Sequence, residues 1–225
     1  QDNSYGNGGA VSSYNTVHDV TISDLNVHNN WAHNGGGLYL GSSSAHHYLD
    51  NITVSNNIAS RAGGGICIAN NNVTISNSVI EGNHTQNGYA GSPQGGAGIF
   101  LDQNSSAIET ITLNNVNIDN NTIDDESANG LGGGIYVSDN QILVMNGGSI
   151  NGNTALYALG ASAIYSQGGD IYLDGVTVND NINSHTIILD EGLTFEAINS
   201  EFTGNSFGDV IRTTNGYPYS ITLDH

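Results

Sequence analysis

The chain has no lysine, and its only cations are Arg61 and Arg212, against 21 acidic residues. A formal charge of −19 repels phosphate backbones, which excludes nucleic acid as a partner, and it disfavours anionic lipid surfaces for the same reason. A single cysteine, Cys67, leaves no internal disulfide to be made. No apolar run approaches the ~18 residues of a membrane span, so membrane insertion by a helix is not expected. No stretch repeats its apolar residues every three to four positions for long enough to make a helix. What remains is glycine (31 residues), asparagine (33 residues) and hydroxyl residues, with only 37% of the chain apolar. Such a composition suggests disorder, but charged residues are only 10% and the apolar ones are strictly spaced, which favours short strands and tight turns.

That spacing is a repeat. An apolar residue followed three positions later by asparagine occurs seven times, and the asparagines are Asn30, Asn57, Asn83, Asn121, Asn153, Asn181 and Asn205. The intervals are 27, 26, 38, 32, 28 and 24 residues. Upstream of these asparagines lies an alternating block: Val20-Thr21-Ile22, His47-Tyr48-Leu49, Val73-Thr74-Ile75, Ile111-Thr112-Leu113, Leu143-Val144-Met145, Ile171-Tyr172-Leu173 and Phe195-Glu196-Ala197. Ile221-Thr222-Leu223 opens an unfinished eighth unit. Alternation with β-branched and aromatic residues reads as strand. A third block of small residues leading into an apolar alternation follows each asparagine, as in Gly35-Gly36-Gly37-Leu38-Tyr39-Leu40 and Gly132-Gly133-Gly134-Ile135-Tyr136-Val137. It degrades in the last units, to His185–Leu189 and Asp209–Arg212.

Three short strands per unit, stacked unit on unit, make an all-β, single-stranded parallel β-helix of about eight coils. We read residues 1–225 as one such domain, either whole or as a slice of a longer repeat protein. Stacked asparagines in neighbouring coils can each donate to one neighbour and accept from the other, so the seven are expected to form a structural ladder.

Apolar-x-x-Asn paired with Gly-Gly-small-apolar resembles the FxxN and GGAI repeats of polymorphic outer membrane proteins. Phe202-Thr203-Gly204-Asn205 matches the first, and Gly132-Gly133-Gly134-Ile135-Tyr136 is close to the second. The resemblance covers essentially the whole chain. It implies a right-handed helix of the pectin-lyase-like kind, secreted or surface-displayed, with an adhesive or structural role.

The same architecture hosts polysaccharide lyases and hydrolases, so the residues must choose. Lyases want a basic residue beside carboxylates, and Arg61 and Arg212 lie several repeats apart. Inverting hydrolases want carboxylates on adjacent coils. The clearest acidic run, Asp124-Asp125-Glu126, is contiguous within one loop. No catalytic residue is assigned, and a glycan-binding module is the other alternative. Units differ in length at two corners: after the asparagine (85–94 and 122–131) and after the glycine-rich strand (41–46 and 102–109). Solenoid insertions tend to gather on a binding face, which makes Tyr89, Asp124, Asp125 and Glu126 the candidate ligand or cation loop. No cofactor is strongly implied; Ca²⁺ is the ion such oxygen-rich turns could hold. Of the eight histidines, His28 and His33, and the pair His46-His47, carry no metal spacing and read as ordinary surface or core residues. The expected partners are further copies of the chain, meeting head to tail through the terminal coils, and a glycan or cell-surface ligand.

Overall fold

A computed structural model describes residues 2–224 apart from 15–17, 42–44, 87–93, 103–106, 125–129, 157–159, 192, 206–207 and 215–218. The chain winds as a parallel β-solenoid of about seven turns, with the eight strands of its second sheet stacked one per coil. Three sheets run along it. The first has six strands, five of which start immediately after a ladder asparagine, for example Trp31–Asn34 and Ile58–Ala62. The second has eight, from Val11–Ser13 to Ile211–Thr213, and corresponds to the glycine-led block. The third has twelve and carries both remaining blocks. In the middle coils these fuse into single strands, Val73–Glu81, Glu109–Asp119 and Gln141–Asn151. At ~4.8 Å per parallel neighbour, seven turns rise about 35 Å.

The inward rows of the second and third sheets keep the register of the sequence alignment. Irregularities interrupt the pairing between Ala161 and Ile164 and, in the first sheet, between Ala32 and Asn34 and between Asn3 and Asn7. Val20, His47, Val73, Ile111, Leu143, Ile171, Phe195 and Ile221 stand in one column of the third sheet. In the second sheet the column runs Val11, Leu38, Ile66, Ile99, Ile135, Ile164, Ile187 and Ile211. Inward rows such as these fill the lumen with one continuous core from Val27 to Ala197. A one-residue slip anywhere would turn a whole strand inside out, so the buried rows fix the register of each coil.

The abundance of asparagine and glycine has a backbone cause. The residue before every ladder asparagine has positive φ: Asn29, Asn56, Gly82, Asn120, Gly152, Asp180 and Gly204. A second such column, Asp24, Asn51, Asn77, Asn115, Gly147, Gly175 and Asn199, bends the third sheet between its two blocks. Only Gly, Asn and Asp visit the left-handed region cheaply, and each coil needs several such corners.

The second sheet is covered on its outer face as well. Tyr39, Cys67, Phe100, Tyr136, Tyr165 and Ile188 point outward yet are at most 7% exposed. Their rings stack along the axis: Phe100 on Tyr136 at 4.9 Å and Tyr136 on Tyr165 at 5.6 Å between centroids. The returning ends of the two insertions after the asparagine supply the cover. Gln94–Gly95 pairs in parallel with Gly130–Leu131, and Leu131 packs on this aromatic cluster.

Candidate functional site

The asparagine ladder is the most regular polar feature. Each ladder residue offers its Oδ1 to both the backbone N–H and the Nδ2 of the preceding asparagine. Asn57 donates in this way to Asn83, Asn83 to Asn121, Asn121 to Asn153 and Asn153 to Asn181, at 2.9–3.1 Å. Asn30 and Asn181 do the same at the two ends, to Asn57 and Asn205. The second Nδ2 hydrogen goes to the carbonyl of the apolar residue one coil back, as from Asn121 to Ile80 and Asn153 to Ile118. Asn57, Asn83, Asn121, Asn153 and Asn181 are completely buried, and each is saturated by its neighbours. This column holds the coils together, and it offers nothing to a ligand.

Of the expected loop residues, Tyr89, Asp125 and Glu126 lie outside the described residues. Asp124 is described. Its Oδ2 stands 2.6 Å from His84 Nε2, and its side chain is 42% exposed. Among the described residues no three His, Cys, Asp or Glu side chains gather as a metal site would require. Arg61 donates to Asn34 Oδ1 at 3.3 Å in the first sheet, whereas Arg212 sits in the last strand of the second.

A different corner brings carboxylates together. Gln167 pairs with Asp190, and the register of the flanking strands sets Asp139, Gly168 and Glu191 at equivalent positions of three successive coils. Gly168 has φ +83°, and a Cβ there would lie 2.2 Å from Asp139 Oδ1 and 3.6 Å from Glu191 Oε2. The glycine is therefore a notch between two acids two coils apart. Asp190 lies beside them, taking hydrogen bonds from the Tyr165 hydroxyl at 2.8 Å and from the Thr214 hydroxyl. The Tyr136 hydroxyl donates to Gln167 Oε1. Asp139 Oδ1 is buried with no hydrogen-bond donor among the described residues.

The electrostatics follow from this crowding. Burial and then the Asp190 charge push the Asp139 carboxyl above the usual carboxylate range. The charge of Asp139, followed by burial and Asp190, does the same to Glu191. Burial, aided by the neighbouring acids, raises the Tyr165 phenol well above its ordinary value. No cation answers these charges among the described residues. Neighbouring carboxyls whose proton affinity is raised by one another and by burial are the kind of group from which acid–base chemistry is built.

Sequence reasoning passed over this corner because its acids do not recur. Only the alignment of Ser138-Asp139, Gln167-Gly168 and Asp190-Glu191 just past the third block would have exposed it. It also treated the pair His46-His47 as one feature, and the structure separates them. His46 stacks on Tyr48 at 4.3 Å outside, while His47 faces the lumen with no exposure.

The description "Right handed beta helix region" matches residues 9–207 of this chain. The chain belongs to the right-handed β-helix family. No curated protein and no solved structure matches it. Membership fixes the architecture and its hand, and the family hosts rods and enzymes alike, so the residues of the site must decide between them.

Proposed function

We propose that this right-handed β-helix is a non-enzymatic structural or adhesive rod working outside the cell, of the kind its FxxN-like repeats resemble, and that rods continue one another head to tail. The amide column carries this reading. Every step in it runs from N–H to O, so one end presents acceptors, the other donors, and only a head-to-tail meeting extends it. The last coil supports the same contact. An apolar hollow of about 230 Å³ there is lined by Ala197, Ser200, Phe202, Leu223 and Asp224. Leu223 in this lining and Ile221 in the same strand are 62% and 43% exposed. Stacking a second copy would cover these residues by the rule that closes each internal coil, with the net charge opposing sideways clumping. Sedimentation velocity across a hundredfold concentration range tests the proposal. Polymers that dissociate on Leu223→Asp substitution are expected; an unchanging monomer contradicts it.

One observation favours a second reading, a carbohydrate-active enzyme: the raised carboxyls of Asp139 and Glu191 flank the Gly168 notch. This reading predicts release of reducing ends from a polysaccharide panel, abolished by both Asp139→Asn and Glu191→Gln. No turnover on any acidic, neutral or basic glycan leaves the rod.

A further inference from the structure

Among the described residues His47 is the one imidazole with no exposure at all. It stands in the inward row of the third sheet, where the other coils carry Val20, Val73, Ile111 and Leu143. Both ring nitrogens are engaged by neutral groups on the adjoining coils: Nε2 with Ser13 Oγ at 2.8 Å, and Nδ1 with the Asn71 amide at 2.6 Å. Asn71 is itself buried, and its Oδ1 has no donor among the described residues. Its backbone N–H bonds to Glu109, which Gln141 Nε2 also contacts at 3.1 Å. The charged and titratable groups facing the ring are few: His46 beside it, Asp19 one coil back and Glu109 behind Asn71. Among the described residues no carboxylate bonds to the ring itself.

A neutral imidazole is fully accommodated here. An imidazolium would be a buried charge without a counter-ion, and that is costly. The surrounding coils add to the effect, since residues 1–50 hold five histidines against four aspartates and no other charged group.

We propose that the Ser13–His47–Asn71 contact is an acid-sensitive latch, whose protonation opens the first two coils while the coils beyond Asn83 keep their ladder. Solenoids permit this, because each coil contacts only its neighbours and an end can open without the rest. The direction agrees with the pKa: burial above all, and then the charge of His46, draw it down, and Asp19 draws it back up by less. A folded value below the unfolded ~6.5 means that stability is full above that pH. It drains away as pH falls from there toward the folded value.

Amide hydrogen exchange of the full chain, corrected for intrinsic rates, reads the latch region by region. Between pH 7 and pH 5, protection over residues 20–28, 38–41 and 45–50 should fall at least tenfold, with residues 111–119 and 142–151 unchanged. His47→Gln, which keeps a neutral amide in place and leaves the other four histidines of the region untouched, should remove the difference. The same acid loss in His47→Gln, or a loss spread evenly along the rod, overturns the proposal. If that variant fails to fold, NMR titration of the His47 ring in the native chain decides. A midpoint below the ordinary imidazole value, coincident with the loss of protection, supports the latch, and an ordinary midpoint without it does not.

Discussion

The ladder column and the notch corner set the same problem, polar side chains repeated along the axis at the spacing of the coils, and resolve it in opposite ways. Asparagine both donates and accepts, so stacking it on itself satisfies every group, and the column can run through seven coils without a break. A carboxylate only accepts. Stacked acids repel, and at the notch the chain inserts Gly168 between Asp139 and Glu191 while hydroxyls from Tyr165 and Thr214 serve Asp190. A solenoid can therefore repeat a self-complementary side chain without limit, but it tolerates charge only as an interruption.

The comparison breaks most visibly if the ladder is given the chemistry of the corner. Asn121→Asp places a carboxylate against Asn153 Oδ1 and the Ile80 carbonyl, both acceptors, in a fully buried position. We expect a loss of ~3–5 kcal/mol in urea unfolding at neutral pH, as for a buried group left unpaired, with partial recovery in acid as the carboxyl regains a proton. Asn121→Ala should cost somewhat less at neutral pH and show no recovery. Gly168→Ala fills the notch and forces a left-handed conformation on a residue with a Cβ, so ~1–2 kcal/mol should be lost.

Asp139→Asn sharpens the contrast from the other side by giving the corner the chemistry of the ladder. Raised carboxyls bind a proton more readily folded than unfolded. They favour the fold below their unfolded value, and that advantage disappears as pH rises through the folded one. The native protein should gain stability from this corner on mild acidification, and Asp139→Asn should remove that gain while raising stability near neutral pH by less than ~1 kcal/mol. Asp124→Ala, at the half-buried His84 pair, should change the unfolding midpoint least, by about 1 kcal/mol or less.

The ladder and the register were legible because identical residues recur at unit spacing, and burial on one face allows no slip. The strands of the first sheet were not, since pairs such as His84–Thr85 and Thr154–Ala155 are too short to show a period. The covered outer face of the second sheet left a readable trace: Leu38-Tyr39-Leu40, Ile66-Cys67-Ile68 and Ile135-Tyr136-Val137 are continuous apolar runs, as strands buried on both faces tend to be. The notch was hidden for a structural reason. Its residues lie at unlike positions in the repeat text, Asp139 past a short strand and Glu191 past a long one, and only the paired backbone brings them into line.

A double-mutant cycle on neighbouring ladder positions tests the central claim, that the amide column is one connected bond network. Asn83→Ala and Asn121→Ala should couple by ~1 kcal/mol or more, the double variant losing less than the sum of the singles because each removes a bond the other also breaks. Asn57→Ala and Asn153→Ala, which share no bond, should add. Full additivity at both pairs would mean that each asparagine acts alone and that the coils are held by their apolar core without the ladder.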